Sequence, residues 1–110
     1  MATNDKCCTV VPYYEIREGN HAAFKEVCER LVRKTESEAG CLYYGFSFNG
    51  DQAFCREGHA DGQAILDHLE NVGLLFEEAL RFAELSRFEV HGPEEELAKL
   101  RGGGRPDHRT

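Results

Sequence analysis

The chain has 110 residues, 41% apolar and 30% charged, with a formal net charge of −7. That length suits one hydrophobic core, and the acidic balance disfavours nucleic acid and anionic membrane, which would repel it. No window approaches the roughly 20 apolar residues that span a bilayer. Residues 1–6 lack the apolar run of a signal peptide, so the expected location is cytoplasmic.

Residues 7–16 carry Val10, Val11, Tyr13, Tyr14 and Ile16, a strand composition. Pro12 has no N–H for a ladder and predicts an edge position or a bulge. Glu18-Gly19-Asn20 reads as a turn with Asn20 as helix cap. Phe24, Val27, Cys28, Leu31 and Thr35 recur at helical spacing, and Gly40 marks a stop after about Ala39. Residues 41–48 form a second strand, with Leu42, Tyr44, Phe46 and Phe48 on one face and Cys41, Tyr43, Gly45 and Ser47 on the other. Asn49-Gly50-Asp51 is a hairpin signal leading to a third strand over 52–59.

Asp61 is placed to cap a helix from Gly62 to about Asn71. Gly73 predicts a break or kink before a second helical segment over 74–83. A fourth strand spans 85–91. Pro93 then opens a short accessory helix over 93–101, acidic in its first turn and basic in its last, as the helix dipole favours. Residues 1–6 and 102–110 carry no core-forming pattern and are expected to be disordered.

The order β-α-β-β-α-β predicts one ferredoxin-like α+β domain over 7–101, a four-stranded antiparallel sheet with helices on one face. The strands are nevertheless apolar or aromatic on both sides, with Tyr13 beside Tyr14 and Tyr43 beside Tyr44. A sheet with one wet face alternates more cleanly. A second copy packed face to face covers the spare side, so a homodimer is expected.

Glu57 and His59 lie two apart on one strand face, and His68 shares a helical stripe with Ile65, Leu69 and Val72. A carboxylate and an imidazole aimed at one apolar layer read either as a reactive pair or as a satisfied core pair. His68 either fastens helix to sheet, contacts a ligand or acts as a base, since imidazole titrates near neutral pH. Glu57 or Asn71 would orient it or the substrate, unless Glu57 is a structural ion pair with Arg56, or with Arg87 across a dimer. Tyr13, Tyr43 and Tyr44 are candidates to stack on or hydrogen-bond an aromatic ligand. His59 also reads as a turn residue, and His21 and His91 as solvated.

The five cysteines, at 7, 8, 28, 41 and 55, include no Cys-x-x-Cys pair and read as reduced apolar residues. Cys55 is the one thiol near Glu57 and His59. The histidines lack metal-ligand spacing, so no metal is expected. A haem ligated by His68 or His59 stays open as a lesser option.

The chain resembles the antibiotic biosynthesis monooxygenase-like family of dimeric α+β barrel proteins. The likeness rests on Val10-Val11-Pro12-Tyr13-Tyr14 before Glu18-Gly19, on Glu38-Ala39-Gly40-Cys41-Leu42, and on Glu57 closing a strand with His68 in the following helix. It spans residues 8–91. It implies a homodimer with a pocket in each subunit between sheet and helices. Some members are cofactor-independent oxygenases of aromatic polyketides or quinols, and some related members degrade haem. Glu57 and His68 match positions common in the family. Two residues after the glutamate, where Trp is frequent, this chain has His59, and it has no Trp at all.

The resulting expectation is a monooxygenase-like enzyme without a bound cofactor, acting on an aromatic or quinone-type molecule. Its catalytic residues are His68 and Glu57, and its substrate-binding residues are Tyr13, Tyr43, Tyr44, His59 and Asn71. The alternative is a non-catalytic small-molecule-binding or accessory dimer of the same fold.

Overall fold

A computed structural model describes residues 4–102. It contains β1 (Cys8–Ile16), α1 (His21–Thr35), β2 (Cys41–Asn49), β3 (Gln52–His59), α2 (Gly62–Ala79), β4 (Ala83–His91) and α3 (Glu94–Gly102). The sheet order is β2-β3-β1-β4, with antiparallel neighbours throughout. This is the expected ferredoxin-like α+β architecture. Among the described residues no helix is long and apolar enough to cross a membrane. The disorder expected at 1–3 and 103–110 lies outside the described residues, and Gly102 closes α3 instead of opening a tail.

Pro12 is not on an edge strand, because β1 lies between β3 and β4. The irregularity it predicted is close by. The β1–β4 register shifts between Tyr13 and Tyr14, and the ladder to β3 lapses after Val10 and resumes at Tyr13. A residue that cannot donate is thus tolerated at the centre of a sheet by a local lapse in pairing.

Alternation along β1 turns Cys8, Val10, Pro12, Tyr14 and Ile16 inward. Phe24, Val27, Cys28, Leu31 and Thr35 form the buried face of α1, as their spacing predicted. Phe24 anchors this core, its ring centroid 5.2 Å from Tyr14 and 6.4 Å from Phe48 in an edge-to-face contact.

Several local expectations yield to tertiary packing. Asn20 makes no side-chain cap. Its ψ of 15° is not extended, and its amide bonds the Glu18 carbonyl instead. Helix α1 stops at Thr35, before Gly40. A Cβ on Gly40 would lie 2.6 Å from the Cβ of Ala64, so this glycine permits the α1–β2 loop to press on α2. Gly73 neither breaks nor kinks the roof into two segments, and α2 runs unbroken to Ala79. A mid-helix glycine costs only about 1 kcal/mol, which packing offsets here. The turn after α2 then occupies 80–82, and β4 begins two residues earlier than expected.

Two expected signals hold. Asp61 Oδ1 accepts the Ala64 N–H at 2.8 Å, and Gly50 turns the hairpin with φ of +64°. Helix α3 fastens the start of α2. The buried Glu96 accepts the Gly62 N–H at 2.9 Å and pairs with Lys99 at 2.9 Å. Leu100 packs on Cys8, Val10 and Ile65.

Candidate functional site

Beneath α2 the helix–sheet layer is not filled. Ile65, His68, Leu69, Val72 and Phe76 look down from α2 onto Val10, Pro12 and Tyr14 of β1, Tyr44 of β2, Glu57 of β3, and Leu85 and Phe88 of β4. With Leu31 they enclose a cavity of about 390 Å³. Its walls are aliphatic and aromatic, and they include no Lys or Arg. Glu57 and His68 supply the carboxylate and the imidazole of the lining.

Alternation along β3 explains the polar end. Ala53, Cys55, Glu57 and His59 all turn inward and all are buried. The first two fill core. The last two bring a carboxylate and an imidazole under the helix that carries His68. Glu57 Oε1 lies 3.0 Å from His59 Nε2 and 3.5 Å from His68 Nε2. On its far side, His68 Nδ1 lies 2.9 and 3.0 Å from the two carboxylate oxygens of Glu38. Asn71 donates to Glu38 at 2.8 Å and to the Lys34 carbonyl at 3.1 Å. The two imidazole centroids are 4.9 Å apart, and the Tyr44 ring is 5.2 Å from His68.

Counting protons defines the chemistry. A carboxylate only accepts, so Nδ1 of His68 donates to Glu38, and Nε2 of His59 donates to Glu57. His68 Nε2 then faces Glu57 Oε1, and without a further proton both would be acceptors. At 3.5 Å the two form a charge contact longer than a hydrogen bond, at the one polar end of an apolar chamber.

The sequence-derived candidates divide. His68, Glu57 and Tyr44 line the cavity, and Tyr14 joins them unpredicted. His59 does not end its strand as a turn residue. It is fully buried behind Glu57, and its Nδ1 has no hydrogen-bond partner. Asn71 sits outside the cavity and holds Glu38. Tyr13 and Tyr43 are corrected outright, because both lie on the opposite face of the sheet. Tyr13 bonds Glu89 at 3.4 Å, its ring 5.8 Å from Phe54. Tyr43 covers Gly58, where a Cβ would come within 2.2 Å of its ring. The expected Glu57–Arg56 ion pair does not form, since adjacent strand residues face apart. His21 pairs with Asp51 at 2.9 Å, and His91 with Glu89 at 3.5 Å.

Glu38 was missed. It lies in a loop with no periodicity, and 30 residues separate it from His68. Ligand proximity here comes from the fold and not from sequence spacing. The fold brings one ligand atom each from Glu57, His59 and His68 within 4.8 Å of one another, a donor set that suits a divalent ion. Burial pushes the Cys55 thiol and the Tyr44 hydroxyl well above their usual ranges, which leaves Cys55 inert as a nucleophile near neutral pH.

The four-stranded antiparallel sheet with helices on one face is the fold shared with solved antibiotic biosynthesis monooxygenase-like proteins. Among solved structures, MupZ from Pseudomonas fluorescens is 52% identical with a TM-score of 0.85, covering 89% of this chain and 81% of that one. The chain and MupZ belong to one family, and their fold is that of the antibiotic biosynthesis monooxygenase-like proteins. A candidate antibiotic biosynthesis monooxygenase from Nitrosomonas europaea shares the fold at 11% identity and a TM-score of 0.74, covering 86% and 96% of the two chains. A conserved protein from Methanosarcina mazei does so at 17% and 0.74, covering 80% and 93%. No protein-family model and no curated protein matches the chain.

Proposed function

We propose that the chain is an enzyme that moves a proton on an uncharged, largely apolar small molecule held beneath α2, with Glu57 and His68 as its acid–base pair. The observation that carries this reading is that His68 Nε2 and Glu57 Oε1 face each other 3.5 Å apart at the polar end of an otherwise apolar cavity. Apolar walls exclude water and strengthen the electrostatics of the pair.

Within the family, cofactor-independent oxygenation of an aromatic or quinol-type molecule is the reaction that such a pair starts. His68 takes a proton from the electron-rich substrate, and Glu57 holds the charge that develops on the imidazole. The substrate anion passes one electron to O2, the resulting radical and superoxide join as a peroxide anion, and the proton returned from His68 makes it a hydroperoxide. For an anthrone, loss of water then converts CH2 and O2 into C=O and H2O. Tyr44 and Phe76 flank the ring, and His59 steadies Glu57. The working form is a homodimer joined through the outer sheet face, where Tyr13, Phe54 and Tyr43 lie, and it acts in the cytoplasm.

Oxygen uptake and product mass on a panel of hydroquinones and anthrones test the oxygenase step. His68→Ala and Glu57→Gln are each expected to lose about 10²–10⁴-fold. No uptake above buffer by the wild type ends the oxygenase reading for those compounds. Deuterium exchange from solvent into the same compounds, without oxygen, tests proton transfer itself. A second reading, a non-catalytic binder, draws on the cluster's nearly complete internal hydrogen bonding. Tight binding with neither uptake nor exchange favours it.

A further inference from the structure

We propose that Glu38 is the positioning residue of this centre. It commits His68 to a form protonated at Nδ1 and so makes Nε2, on the cavity side, the atom that exchanges a proton with Glu57 and with the bound molecule. The inference rests on the acid–base reading above and assigns a role to a residue outside the cavity.

Four observations carry it. Both oxygens of Glu38 lie within 3.0 Å of the same ring nitrogen, so Nδ1 is centred on the carboxylate and not touched by one oxygen alone. An acceptor-only group opposite Nδ1 demands a proton there, and the other nitrogen is then the basic one. Asn71, tied to the Lys34 carbonyl, donates to Glu38 and fixes its rotamer. The loop itself is clamped. The Gly40 carbonyl accepts the Ala60 N–H at 2.8 Å, and at Gly40 the backbone lies too close to Ala64 to admit a side chain.

Glu38 borders a separate hollow of about 250 Å³ and no part of the main cavity. It therefore acts on a bound molecule only through His68. An orienting carboxylate behind a catalytic imidazole is worth orders of magnitude in turnover, because without it the ring adopts the wrong tautomer. An amide in its place can offer an N–H to Nδ1 and reverse the preference.

The test is a long-range proton–nitrogen correlation spectrum of the full chain labelled with 15N-histidine, at pH 7 and without ligand. In the wild type, His68 is expected to carry a proton on Nδ1. In Glu38→Gln, the proton is expected to move to Nε2 wholly or in part, with His21 and the backbone amides unmoved. Asn71→Ala, which leaves the carboxylate but frees it, is expected to give a mixture, and it supplies the answer if Glu38→Gln fails to fold. A bare Nδ1 in the wild type overturns the proposal, as does a His68 spectrum unchanged in both variants.

The measurement needs no substrate, so silence in the oxygen assay does not affect it. A protonated Nδ1 in a protein that exchanges no proton with any compound would leave the orientation standing and sink the acid–base reading. On a compound that is turned over, Glu38→Gln is expected to lower kcat about 10-fold or more with KM unchanged.

Discussion

Neighbouring tyrosines part company twice in this sheet. Tyr14 and Tyr44 turn toward the helices, and Tyr13 and Tyr43 turn away. The inner pair borders the cavity, and burial pushes both hydroxyls far above the ordinary tyrosine range. The outer pair lies beneath guanidinium groups, Arg87 at 6.0 Å from Tyr13 and Arg56 at 5.9 Å from Tyr43. A single step along a strand therefore separates an apolar chamber from a cation-bearing aromatic surface. The two faces have the same residue type and divide its work by parity alone.

The sharpest way to break that division is turnover. His68→Ala is expected to cost about 10²–10⁴-fold, while Tyr13→Ala leaves the chemical step of the assembled protein intact. Equal losses in steady-state kinetics would erase the distinction between faces. Next in size, Phe24→Ala on the inner side should destabilise by about 3–5 kcal/mol in urea unfolding, because it removes the ring that links Tyr14 to Phe48.

On the outer side, if the proposed dimer forms, Tyr43→Glu should convert it to a 12.4 kDa particle in sedimentation with little change in unfolding of the protomer. A wild type that already sediments at that mass at micromolar concentration refutes the face-to-face pairing.

The smallest effect concerns α3. The Gly62 N–H, and then Lys99, hold the Glu96 carboxyl below its ordinary 4.5. A depressed folded value means that this stabilisation is complete above about pH 4.5 and fades as pH falls through the lower folded value. Hydrogen exchange in α3 should rise over that acidic window, and Glu96→Gln should flatten the dependence.

Much of the fold was legible because alternation and turn chemistry agree. The inward residues of β1 and β3 and the buried stripe of α1 follow from spacing alone. The misreadings share one cause. Asn20, Gly40 and Gly73 carry strong local signals, and in each case packing at long range overrode them. Of the two readings of Pro12, edge or bulge, the second holds, since its strand is central and its pairing is interrupted there.

The site was half legible. Glu57 and His68 stand out because a polar residue on an apolar face needs a partner. Glu38 has no such mark, because only the folded loop brings it to His68. Tyr13 and Tyr43 were chosen for their chemistry before their face was considered, although the alternation of β2 already set Tyr43 opposite Tyr44.

The unbroken α2 has a mechanical consequence. It is pinned at its start by Glu96 on Gly62 and near its end by Arg30, whose Nη2 lies 2.5 Å from Glu78. A rod held at both extremities neither folds at its midpoint nor swings as a flap. The cavity's most exposed bordering side chains are Leu69 and Phe88, at 44% and 47%, and a molecule of the kind proposed would pass them. Rotamer exchange at exposed residues takes picoseconds to nanoseconds, so entry is a matter of turnstiles and is set by their size.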